Sequence, residues 1–124
     1  MPLTLTDTNL RYLLAIYHLA KTMPEVTPLA VAQAMGVTKP SVTSILSCLM
    51  KHDVIVRKRY GKVYLTDRGM LYARYYDDLL QKILQNFPLE GDFTPAEKEA
   101  AALAMSAALP AREVDARCAV LYDD

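Results

Sequence analysis

The sequence predicts a mainly α-helical chain carrying one two-stranded β-hairpin, and three observations predict it. Apolar residues recur at helical spacing over most of the length. One stretch, VIVRKRYGKVYLT (54–66), instead places β-branched and aromatic residues on both sides of a glycine. Prolines, glycines and hydroxyl residues stand where helices begin and end.

In LRYLLAIYHLA (10–20), Leu10, Leu13, Leu14, Ile16, Tyr17 and Ala20 fall on one helical stripe, with Arg11 and His18 off it. Thr6, Asp7 and Thr8 are available as caps, so a first helix is expected over 8–22. In TPLAVAQAMG, Thr27 can accept from the orphan amides, Pro28 suits the first helical position, and Gly36 supplies a left-handed stop after barely two turns. Thr38 then opens another helix with Pro40 in its first turn. Val42, Ile45, Leu46, Leu49 and Met50 form its apolar stripe, and Thr43, Ser44, Ser47 and Lys51 its polar side. The hairpin follows, with Gly61 placed to take a positive φ. From Asp67 the pattern is helical through MLYARYYDDLLQKIL and breaks at Asn86-Phe87-Pro88 and Gly91. Thr94-Pro95-Ala96-Glu97 forms a capping box that opens the alanine-rich EAAALAMSAAL, and Pro110 ends it and starts a last short helix, REVDARCAVL.

With 124 residues, 52% of them hydrophobic, the chain can bury a real core as one unit. Cys48 and Cys118 lie far apart with no CxxC spacing, so neither a disulfide framework nor a zinc finger is indicated, and a reducing cytoplasm fits. The N-terminus lacks a basic lead and long apolar run, and no segment is long enough to span a bilayer, so a soluble, cytoplasmic protein is expected. The net charge of zero conceals a polarised molecule. Residues 1–74 hold ten Lys/Arg against four Asp/Glu, and residues 75–124 hold four against ten. A basic half of this kind is the footprint of a face that meets phosphate, solvated charge being the plainer reading.

A short helix, a tight turn at Gly36, a second helix and then a basic hairpin is the order of a winged helix-turn-helix. In that arrangement the second helix enters the major groove of DNA by its N-terminal end, where orphan amides and the positive dipole end favour phosphate. Thr38, Lys39, Pro40, Ser41, Thr43 and Ser44 are therefore the candidate readers, their hydroxyls able to meet phosphate or base edges and the proline ring a thymine methyl. An ordinary capped, solvated helix would look the same taken alone. The hairpin decides between them: Arg57, Lys58, Arg59 and Lys62 put four positive charges within six positions, with Tyr60 interleaved. A tip built only for structure has no need of such repulsion, whereas a wing riding on phosphates does.

Catalysis finds no support. His18 and His52 are the two histidines, and neither has the spacing of a triad or metal-hydrolase motif; no Gly-rich phosphate loop exists. Asp77 and Asp78 are adjacent, so on a helix they point about 100° apart and form no acid and base dyad.

The segments LRYLLAIYHLA, VAQAMGVTKPSVTSILSCLMKHDVI, the wing ending in VYLTDRG and, more weakly, AALAMSAALPAREVD resemble the iron- and manganese-dependent repressor family, that of the diphtheria toxin repressor and the manganese transport regulator. The Pro-Ser-Val-Thr opening of the reader helix and the LT-x-x-G after the wing carry the resemblance. It implies a homodimer on a near-palindromic operator in double-stranded DNA: residues 1–70 as the winged helix-turn-helix and residues 71–124 as a helical dimerisation region. It also implies divalent-metal sensing by Mn or Fe. The sequence runs only a little past Leu121, so the SH3-like third domain that some relatives carry is not expected.

The family's metal ligands do not carry over. Where the resemblance places ligands in the first helix, the chain has Arg11 and Leu14, and an arginine repels a cation. Asp77 or Asp78 lies near the position of an absent ligand histidine. Glu99 survives from the third group, whose Glu-His pair reads Ala102-Leu103 before Met105-Ser106. Asp77, Asp78 and Glu99 are thus remnants of a metal site, too few to hold a hard divalent ion. No cofactor is expected. Arg11 either stands where the cation stood, pairing with Asp77, Asp78 or Glu99, or is a solvated surface charge.

Tyr72, Tyr75, Tyr76, Leu79, Leu80 and Ile83 gather on the helix after the wing, beside the small side chains of Ala100 to Ala108. These are core features, but a chain of this size carries more apolar helix surface than one small core buries, and a symmetric dimer would cover the remainder. Two copies would set two reader helices about one DNA turn apart. Cys48 and Cys118 read as small apolar fillers, a redox role at Cys48 being the alternative. A winged-helix interaction module that binds an acidic protein through the wing is the rival to a DNA-binding repressor.

Overall fold

A computed structural model describes residues 5–123, with side chains to residue 120. Six helices and one hairpin follow in the order α1 (Asp7–Thr22), α2 (Pro28–Met35), α3 (Lys39–Lys51), β1 (Ile55–Arg57), β2 (Val63–Leu65), α4 (Asp67–Gln85), α5 (Pro95–Ala107) and α6 (Ala111–Asp123). Helix α1 occupies the middle, packing against α2, α3, α4 and α5. Thr6 caps it, its hydroxyl accepting from the Asn9 amide at 3.1 Å. Leu10, Leu13 and Ile16 are fully buried, each contributing about 2 kcal/mol of burial free energy. Ala20, expected on the same stripe, is exposed, and Leu19 of the last turn packs against the core instead.

The turn of the helix pair forms as the residues require. The Thr27 hydroxyl accepts from the Ala30 amide at 3.1 Å. Gly36 sits at φ 67°, ψ 35°, where a side chain would be strained. The Val37 amide donates to the Ala32 carbonyl (3.0 Å) and the Gly36 amide to that of Gln33 (3.4 Å), a Schellman closure that ends α2 and turns the chain into α3. Val42, Leu46 and Leu49 bury the inner face of α3, while Met50 is 40% exposed and leaves the expected stripe.

Strands β1 and β2 pair antiparallel, Ile55 opposite Leu65 and Arg57 opposite Val63. Val26, before α2, adds an isolated bridge to Val63, whose amide donates to the Val26 carbonyl at 2.8 Å. That single bridge ties the wing to the segment between α1 and α2.

Thr66 joins the wing to α4. Its hydroxyl donates to the Asp53 carbonyl (2.6 Å) and accepts from the Gly69 amide (2.9 Å), and its own amide donates to the Val54 carbonyl (3.1 Å). The boundary expected at 70/71 therefore falls within α4, which is continuous. Tyr72, Ala73, Tyr76 and Leu80 of α4 share one buried cluster with α1, α3, Ala102 and Leu103 of α5, and Val114 and Cys118 of α6. No linker separates the two parts.

Helix α5 opens with the expected capping box: the Thr94 amide donates to Glu97 Oε1 at 2.8 Å and the Glu97 amide to the Thr94 hydroxyl at 3.1 Å. The first of these bonds holds the Glu97 carboxyl below its ordinary range. The Glu97 carboxylate's share of the cap is thus at full strength above the ordinary carboxylate pKa and is lost as pH falls through the lowered one, while the Thr94 hydroxyl bond does not titrate.

Candidate nucleic-acid interface and the cleft behind it

Thr38, Lys39, Pro40, Ser41, Thr43 and Ser44 are all exposed on the first turns of α3. Thr38 occupies the N-cap position, yet its side chain makes no capping bond. Its hydroxyl lies 2.9 Å from that of Ser41 instead. Among the described residues no side chain closes the amides of this turn, which stay open to an acceptor from outside. Thr43 donates to the Lys39 carbonyl at 3.2 Å and Ser47 to that of Thr43 at 3.1 Å. Both hydroxyls spend their proton on the helix and face outward as acceptors, a role the residue types alone do not reveal.

At the wing, Arg57, Lys58, Arg59 and Tyr60 are exposed, and none of the three cations makes an ion pair among the described residues. Tyr60 takes a left-handed conformation (φ 63°, ψ 23°) in a single 3-10 turn, next to the expected positive φ of Gly61 (74°). The turn is closed by the Lys58 amide on the Lys62 carbonyl at 2.8 Å. A tyrosine in this region is uncommon and strained, and the conformation leaves the residue 89% exposed at the tip. Lys62 stands apart from the other three. Its ammonium is 2.7 Å from Glu25, and that bond raises its pKa. Lys62 braces the base of the wing against the connection before α2, alongside the Val26 bridge, and is not a free charge at the tip. Glu25 lies outside every motif in the sequence, and only the fold reveals the pair.

Behind this face, a cleft of about 540 Å³ opens between α1, α4, α5 and the end of α2. Helix α1 lines it with Arg11, Leu14, Ala15 and His18, helix α4 with Asp77, Leu80, Gln81 and Leu84, and helix α5 with Ala96, Glu99, Ala100 and Leu103. Each set has the spacing i, i+3, i+4, i+7 of one helix face. The positions singled out as relics of a metal site, Arg11, Leu14, Asp77 and Glu99, are thereby brought together. Asp78 is not among them: it pairs with Lys82 at 3.0 Å on the exposed side of α4.

Arg11 does not take the place of a cation in this cleft. It is exposed and pairs with none of Asp77, Asp78 and Glu99, whereas His18 Nε2 lies 3.1 Å from Asp77 Oδ1. The oxygen is shielded from solvent, and the contact is outside hydrogen-bonding geometry. The helix explains the exchange of partners: Arg11 lies about 10 Å along the axis from His18, at the other end of the wall. The donors do not fit a divalent metal. Among the described residues no three His, Cys, Asp or Glu side chains converge, and an arginine stands in the wall.

Cys48 is half-buried and accepts from the Asn9 side-chain amide at 3.2 Å, a bond that ties α3 to α1. Cys118 is buried, and burial pushes its thiol up to about 11. Alkylation with iodoacetamide at pH 8 is expected to leave Cys118 unmodified in the folded protein and to reach it only after denaturation; rapid native labelling, read by peptide mass, would contradict that packing.

No family model and no curated protein matches the sequence. Solved structures do match. The metal-dependent transcriptional regulator MtsR aligns at 21% identity with a TM-score of 0.61, over 93% of this chain and 53% of that one. The chain shares its fold with the aligned part of that structure. The manganese regulator SloR aligns at 19% identity and a TM-score of 0.61, over 93% of this chain and 54% of its own. ScaR with bound Zn²⁺ gives 23% and 0.58, over 93% and 53%. The chain thus spans about half the length of these regulators, and the resemblance read from its motifs is matched by the winged-helix fold. Among the described residues, no helix is long and apolar enough to cross a membrane.

Proposed function

We propose that the chain is a sequence-specific DNA-binding transcriptional regulator, a repressor that occupies a near-palindromic operator as a homodimer and works without a divalent-metal switch. One observation carries this reading: an exposed, hydroxyl-rich first turn of α3, with no capping bond from Thr38, is followed at once by a wing with three cations that make no ion pair among the described residues. Thr38, Lys39, Pro40, Ser41, Thr43 and Ser44 meet the major groove, and Arg57, Lys58, Arg59 and Tyr60 meet the flanking backbone. Lys62 supports them through Glu25.

A dimer is favoured by apolar side chains left exposed in the acidic part. Leu89 and Val120 are each 59% exposed, and Phe93, Met105 and Leu109 are exposed too, while Tyr72, Tyr76 and Leu80 are used up inside the chain. A switch without metal is supported by the donor set around the cleft, where an arginine stands among the few carboxylates. The names of the matched regulators carry a metal dependence that these residues do not support.

The reading is tested by fluorescence anisotropy on duplex DNA at increasing salt, with light scattering for mass. Four cationic contacts per protomer, Lys39 with the three wing cations, give a dimer a slope of log affinity against log salt of about −7. A flat salt profile together with a monomeric mass would contradict the proposal.

A further inference from the structure

We infer that the cleft between α1, α4 and α5 is a binding site for a small zwitterion with an apolar body, in the class of free apolar or aromatic amino acids. Its volume of about 540 Å³ lies within the range of small-molecule sites. The room comes from small side chains: Ala15, Ala96 and Ala100 stand where larger residues would close the three helices on one another. Leu14, Leu80 and Leu103, all buried, form an apolar floor.

The rim is charged, and its charges select the ligand. Asp77 is half-buried in the wall, with His18 Nε2 3.1 Å from its Oδ1. Arg11 and Glu99 are exposed, line the same cleft and make no ion pair among the described residues. A simple cation would satisfy Glu99 and be repelled by Arg11; a simple anion would do the reverse. A molecule bearing both a carboxylate and an ammonium satisfies both, the guanidinium fork taking the carboxylate and Glu99 the ammonium. With charges at the mouth and apolar surface below, such a ligand enters side chain first.

The cleft also touches Ala34 and Met35, the last residues of α2 before Gly36 and α3. Occupancy would therefore bear on the element that positions the reader helix, a consequence that rests on the DNA-binding reading. The binding site itself does not.

Calorimetric titration of the full chain, without DNA, tests the site. The probes are L-leucine, L-methionine and L-phenylalanine, with phenethylamine (no carboxylate) and 3-phenylpropionate (no ammonium) beside the last. Saturable binding of at least one amino acid is expected, with both phenylalanine analogues at least ten-fold weaker than their parent if it is the one that binds. Arg11→Gln and Glu99→Gln are each expected to weaken binding at least ten-fold, and Ala100→Leu, at an exposed position, to abolish it while circular dichroism shows the native helix content. No saturation by any amino acid, unchanged affinity in Arg11→Gln, or 3-phenylpropionate binding as tightly as L-phenylalanine would overturn the inference. Because DNA is absent, this failure is distinct from failure of the DNA-binding reading.

Discussion

Replacing Gly69 with alanine is expected to destabilise the protein by about 3 kcal/mol or more, a large share of the total stability of a small domain. A methyl group at this position would lie 2.7 Å from the carbonyl carbon of Val54 and closer still to its oxygen. The neighbour is backbone, so it cannot swing away as a side chain would. Nor can the backbone retreat cheaply: the Val54 carbonyl accepts from the Thr66 amide, and the Thr66 hydroxyl binds both Asp53 and Gly69. Gly69 is helical and has no positive φ, so the need for glycine is one of space and not of conformation. The LT-x-x-G motif is thus the joint that seats α4 against the strand leading into the wing. Thermal denaturation followed by circular dichroism checks this, and a melting temperature unchanged in Gly69→Ala would show that the close approach is relaxed in solution.

Removing three wing charges together, Arg57→Ala, Lys58→Ala and Arg59→Ala, is expected to lower DNA affinity roughly 100-fold or more at physiological salt. The same change should flatten the salt slope from about −7 to about −2, since a dimer loses six of eight phosphate contacts. Stability should hardly change, because these side chains are exposed and their mutual repulsion is relieved. Lys62→Ala offers a contrast. Its ammonium is engaged by Glu25, so its loss should loosen the wing with little effect on the slope. If Lys62→Ala reduced the slope as much as Lys58→Ala does, the pair with Glu25 would not persist on DNA.

How much of this was legible in the sequence depended on whether the deciding interaction was local. Thr27, Pro28 and Gly36 bound α2 where their own chemistry requires, and the capping box at Thr94 and Glu97 forms as its spacing demands. The hairpin could be found because β-branched residues flank a glycine, but the left-handed Tyr60 beside that glycine has no sequence signature. Interactions across the fold stayed hidden. Glu25 with Lys62, His18 with Asp77 and Asn9 with Cys48 join residues 37, 59 and 39 positions apart, and no periodicity points from one partner to the other. Arg11 and Asp77 illustrate the limit: alignment of motifs placed them at one site, and the axial rise of α1 then gave Asp77 to His18. The cleft they share depends on alanines in α1 and α5 that, taken singly, are ordinary helix formers.

Selection of the purified protein on a randomised duplex pool, once with chelator and once with manganese, asks whether DNA recognition works without a metal. Enrichment of the same near-palindromic sequence in both arms is expected. Enrichment only in the manganese arm would contradict a metal-free regulator, because Asp77, Glu99 and His18 would then have to rebuild a metal site that their arrangement does not support; enrichment in neither would remove the DNA-binding reading itself.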